Sequence, residues 1–67
     1  HSMVTAKELV NLRSMPSTTN ENCVILGTLS NEEVLQRTGI NYEMGWSQLD
    51  YNGQTVYAVT SYLEVVK

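Results

Sequence analysis

Asn52 and Gly53 sit side by side between two runs of alternating character, residues 46–51 and 54–59. A two-residue hairpin loop of type I′ needs positive φ at both central positions, which asparagine tolerates and glycine adopts freely, so the pair predicts a tight β-hairpin. The turn also sets the register. Tyr51 lies opposite Gln54, Asp50 opposite Thr55, Leu49 opposite Val56, Gln48 opposite Tyr57, Ser47 opposite Ala58 and Trp46 opposite Val59. Successive side chains point to opposite faces, so Ser47, Leu49, Val56 and Ala58 share one face. Trp46, Gln48, Asp50, Thr55, Tyr57 and Val59 share the other. The first set has the character of a core. The second mixes aromatics with polar groups and is expected on a partly wet outer surface, with Trp46 exposed and Val59 beside it.

The rest of the chain is rich in Val, Ile and Thr and is cut into strand-length pieces by Gly, Asn and Pro16. Val10 and Leu12 alternate with Leu9, Asn11 and Arg13 in a first strand. A polar loop, Ser14-Met15-Pro16-Ser17-Thr18-Thr19-Asn20-Glu21-Asn22, follows around a proline that cannot sit in a central strand. Residues 23–29 form the most apolar segment, and after a turn at Ser30-Asn31-Glu32 residues 33–38 continue the sheet. Asn31 is a suitable helix N-cap, but the apolar spacing behind it is wrong for a helix and Gly39 would end one too early. Leu63 and Val65 alternate with Tyr62, Glu64 and Val66 in a last short strand. The expected fold is therefore all-β, a small barrel of five to six short antiparallel strands, closed or nearly closed so that few edges remain. Its expected core is Val10, Leu12, Leu26, Leu29, Leu49, Val56, Ala58 and Leu63. Arg37 follows Leu35 by two positions and would share its face, which requires either a wet barrel end or a bulge.

Composition narrows the chemistry. A chain of 67 residues is one small domain, and one of this size buries only about 60% of the surface exposed on unfolding. Cys23 is the only cysteine and His1 the only histidine, so no intrachain disulfide forms and Cys/His zinc sites are excluded. Four basic against seven acidic residues give a net charge of −3, the wrong sign for neutralising phosphates, and nucleic acid is not an expected partner. Apolar runs such as Cys23-Val24-Ile25-Leu26 are far too short to span a membrane. His1-Ser2-Met3 has the character of a leftover expression tag, leaving residues 4–66 as the domain.

Catalytic constellations are missing as well. Cys23 has no native imidazole to activate it and is expected as a small buried hydrophobe. Glu32 and Glu33 are adjacent, and neighbours on a strand face opposite ways, so they cannot act together on one substrate. No Gly-rich phosphate loop and no Ser/His/Asp set is present, and neither enzyme activity nor a cofactor is expected.

Several short segments arrive in a telling order: Asn11-Leu12-Arg13-Ser14-Met15-Pro16-Ser17, Ile25-Leu26-Gly27-Thr28-Leu29, Gly45-Trp46-Ser47, Tyr51-Asn52-Gly53-Gln54-Thr55, then Tyr57 on to Tyr62-Leu63. Together they span essentially residues 4–66, and the chain resembles the bacterial SH3-like domain family (SH3b type). That resemblance implies a small β-barrel serving as one module of a larger secreted or cell-envelope protein of a bacterium. It also implies a non-catalytic role, most simply the binding of cell-wall (peptidoglycan) peptide. A docking module that positions a neighbouring catalytic domain is the alternative, and a structural spacer a third possibility. The chain departs from the family pattern at Val56-Tyr57-Ala58, at Glu32 where a turn glycine is usual, and at Met15 before Pro16. The aromatic-acidic motif with which eukaryotic relatives grip polyproline helices is absent from residues 4–22. By resemblance, positions matching Trp46, Val59 and Tyr62 line a shallow groove beside the first long loop, and the hairpin register independently puts Trp46 and Val59 on one outward face. Candidate ligand contacts are therefore Trp46, Val59 and Tyr62, with Met15 and Tyr42 on flanking loops. Asn11 and Arg13 are expected to be structural, Asn11 bonding loop backbone and Arg13 pairing with a carboxylate while its stem covers apolar surface.

Overall fold

The hairpin forms as its turn residues require. In the computed structural model, which describes residues 2–66, Asn52 has φ 54° and Gly53 φ 84°. The Asp50 carboxylate accepts the Gly53 N–H at 3.0 Å, closing the turn. All six cross-strand pairs, from Tyr51 with Gln54 to Trp46 with Val59, are those set by the turn. Ser47, Leu49, Val56 and Ala58 are fully buried.

Seven strands make up the fold: β1 (Ser2–Ala6), β2 (Leu9–Arg13), β3 (Ile25–Ser30), β4 (Leu35–Asn41), β5 (Trp46–Tyr51), β6 (Gln54–Val59) and β7 (Leu63–Val65), with a 3-10 turn at Thr60–Tyr62. All pairings are antiparallel, in the order β3-β2-β6-β5-β4-β1-β7. The sheet curls into a half-barrel, compatible with a small SH3-like barrel. No helix among the described residues is long and apolar enough to cross a membrane.

The strand beyond the expected five or six is β1. It lies between β4 and β7, with Val4 opposite both Leu35 and Val65. Ser2 and Met3, assigned from the sequence to a tag remnant, are part of this strand and pair with Arg37 and Gln36, while His1 lies outside the described residues. β4 also starts later than expected. Glu33 belongs to the preceding turn, where its carboxylate reaches the Ser30 hydroxyl at 3.2 Å.

Nine residues form the core: Val4, Ala6, Val10, Leu12, Leu29, Leu49, Val56, Ala58 and Leu63. Leu26 was expected there but is only partly buried, packed at the margin with Leu35 and Tyr51. The cause is a bulge, because Leu12 pairs with Gly27 and Arg13 with Ile25, which leaves Leu26 as the extra residue. A second bulge follows Arg37. Arg37 pairs with Leu49 and Gly39 with Gln48, so Thr38 is inserted, and Arg37 stays on the side of Leu49 but only half-buried, bordering an open hollow with Ser2 and Ile40. Cys23 is half-buried rather than enclosed, with Sγ 3.3 Å from the Ser17 carbonyl.

Side chains tie the curled sheet across its open side. The Thr5 hydroxyl is within bonding reach of the carbonyls of Ser30 (3.1 Å), Asn31 (3.0 Å) and Glu33. Asn31 returns the contact, its Nδ2 donating to the Ala6 carbonyl at 2.9 Å and its N–H to the Glu8 carbonyl at 3.0 Å. Tyr51 reaches from β5 to β3, where a Cβ on Gly27 would lie 2.9 Å from its hydroxyl, so the close approach depends on glycine.

Thr5 supplies a clean test of this closure. Thr5→Val keeps the shape but removes the only donor that the Asn31 and Glu33 carbonyls have among the described residues, and is expected to cost about 1–3 kcal/mol. Thr5→Ser retains the hydroxyl and should cost less. Urea denaturation of the two variants measures the difference, and equal loss would show that the hydroxyl contributes nothing.

Candidate functional site

The outer face of the hairpin, the β4–β5 turn and the long loop between β2 and β3 enclose a groove of about 360 Å³. Trp46 and Tyr57 contribute aromatic surface, Pro16 arrives from the long loop and Met44 from the turn. Outward residues two apart on β6 diverge in use. Tyr57 lines this groove, whereas Val59 lines another with Tyr62.

Trp46 lies on the outward face, opposite Val59, as the register demands. It is not exposed, however. Only 8% of its surface is accessible, because the turn and the long loop rise beside the sheet and shelter the ring. Trp46 is also absent from the core cluster, so it forms a groove wall instead of interior packing.

Polar groups in this groove are partly committed. Gln48 Nε2 donates to Thr38 Oγ1 at 3.2 Å, which leaves its Oε1 as an acceptor. Asn41 Oδ1 accepts the Met44 N–H at 3.1 Å, which leaves its Nδ2 as a donor. Ser47 is buried and satisfied by Thr60, the two hydroxyls lying 2.8 Å apart. None of the lining residues carries a charge. The groove therefore offers π faces, apolar area, a free amide acceptor at Gln48 Oε1 and free amide N–H donors at Asn41 Nδ2. Among the described residues no three His, Cys, Asp or Glu side chains converge as metal ligands would.

The other candidate contacts are distributed elsewhere. Val59 and Tyr62 come together in a groove of about 230 Å³ beside Leu9, Asn11 and Arg13. Tyr42 is 85% exposed and borders a third hollow with Arg37 and Ile40. Met15 is half-buried in the long loop, where its carbonyl accepts the Ser17 N–H at 2.8 Å, and it lines none of these grooves. Trp46, Val59 and Tyr62 thus share one side of the sheet without sharing a cavity.

Asn11 and Arg13 do not behave as the structural expectation has it. Among the described residues Asn11 makes no side-chain hydrogen bond and Arg13 has no carboxylate partner; both face the groove of Val59 and Tyr62. Leu9, Asn11 and Arg13 alternate with the buried Val10 and Leu12, so their common outward direction was available from the strand pattern. Tyr57 could likewise be found from the hairpin register, while Pro16 and Met44 depend on loop paths that no local pattern encodes. Compared with known proteins, the chain matches no protein-family model and no curated protein.

A sheltered Trp46 and an exposed Met44 on one groove predict different responses to truncation. Trp46→Ala is expected to cost about 3 kcal/mol of stability, near the lower end for large aromatics. Met44, 68% exposed, should tolerate alanine within about 0.5 kcal/mol. Thermal melts of both variants check this, and an unchanged midpoint for Trp46→Ala would mean that the ring is held less tightly than its burial implies.

Proposed function

We propose that this domain is a non-catalytic binding module whose Trp46–Tyr57 groove takes an extended peptide. The observation that carries the proposal is the pairing of aromatic walls with a free amide acceptor at Gln48 Oε1 and free amide N–H donors at Asn41 Nδ2. A peptide backbone in extended form presents the matching donor and acceptor while its small side chains lie on the π faces. A groove without charge also suits a ligand whose recognised part is uncharged. The likeness to bacterial SH3-like domains directs the choice of ligand to the peptides of peptidoglycan, stem or cross-bridge, and the setting to the bacterial cell envelope.

Trp46 is the only tryptophan, so its emission reports this groove directly. Soluble muropeptides are expected to change Trp46 fluorescence in a saturable way, and purified sacculi to sediment the domain. Tyr57→Ala should weaken both by about tenfold, as removal of an aromatic contact at an interface does. A domain that stays in the supernatant and shows no fluorescence change would overturn the cell-wall proposal in favour of docking to another protein.

A further inference from the structure

The second groove has a different chemistry. Leu9, Asn11 and Arg13 from β2 face Val59 and Tyr62 across it, and past Leu9 and Tyr62 the surface continues into a hollow bordered by Lys7 and Glu8. Leu9 is 63% and Tyr62 57% exposed, an uncovered apolar shelf at the middle of this surface. Arg13 lies at one end, half-buried, with no hydrogen-bond acceptor and no carboxylate among the described residues. At the other end Lys7 is next to Glu8 in the chain, so the two charges offset each other. The net positive character of the surface therefore comes from Arg13, in a protein whose overall charge is −3.

That charge pattern selects the occupant. Arg13 is the one charged residue lining the groove, and a peptide carrying a carboxylate gains in its guanidinium a planar, two-pronged partner. Partial burial of Arg13 limits screening by salt and strengthens the pair relative to one in open solvent. We infer that this groove docks a short extended acidic peptide, with an Asp or Glu side chain on Arg13 and an adjacent bulky apolar residue on the Leu9–Tyr62 shelf. Asn11, whose amide is free, is placed to bond the peptide backbone between them. The site is separate from the Trp46 groove and does not rest on the peptidoglycan proposal.

Two blocked peptides, acetyl-Ala-Leu-Glu-Leu-Ala-amide and its Gln counterpart, titrated into the 15N-labelled domain, test the inference. The Glu peptide is expected to shift the amides of Leu9, Arg13, Val59 and Tyr62 and to bind about tenfold tighter than the Gln peptide, a difference of the size a charge-assisted bond contributes. In Arg13→Gln the preference should disappear, and in Tyr62→Ala both peptides should weaken alike. Equal affinity for the two peptides would overturn the inference, and so would shifts confined to Trp46, Tyr57 and Met44. The comparison on the unaltered protein decides the matter even if Arg13→Gln does not fold. Muropeptide binding read at Trp46 is scored independently, so failure of one site does not obscure the other.

Discussion

The parity of one hairpin governs everything else in this domain. Because side chains alternate along a strand, a one-residue slip between β5 and β6 would carry Ser47, Leu49, Val56 and Ala58 to the surface and turn Trp46, Gln48, Tyr57 and Val59 inward. Neither face could tolerate the exchange. The interior accepts a serine only because Thr60 satisfies it, and it has no partners for Gln48 or the Tyr57 hydroxyl. A chain that cannot form an intrachain disulfide relies on this discrimination, and the positive φ of Asn52 and Gly53 is where it is enforced.

The outer face inherits its organisation from the same register. β6 acts as a ridge, with Tyr57 turned to an uncharged groove and Val59 to one that contains Arg13. Neighbouring strands then differentiate the two. On one side β4, β5 and their turn bring amides and Met44, and on the other β2 brings Leu9, Asn11 and Arg13. A single sheet can therefore present two surfaces of contrasting chemistry only two residues apart on one strand.

The sequence made the hairpin, the alternation of β2 and most of the core legible because each is written in local spacing. β1 was not legible. Its five residues include no turn signal and gain their strand conformation from β4 and β7, which are distant in the chain. The bulge at Leu26 escaped for a related reason, and the one at Thr38 was open only as an alternative to a wet barrel end, since an inserted residue is defined by the partner strand and not by its own neighbours. The shelter over Trp46 comes from loops whose paths depend on tertiary contacts, including the bond from the Val24 N–H to Ser14 Oγ. Arg13 reads as paired because a lone arginine on a strand usually is, and only the assembled surface reveals that no carboxylate among the described residues is its partner.

The two ends of the described chain are neighbours. β1 and β7 run antiparallel, with Val4 beside Val65, and the Val66 N–H bonds the Met3 carbonyl at 2.8 Å. In an antiparallel pair the hydrogen bonds lie perpendicular to the strands, and here the described chain enters and leaves at the same end of the pair. Tension applied to those ends is consequently borne by one hydrogen bond at a time, opening the ladder like a zipper instead of shearing it as a unit.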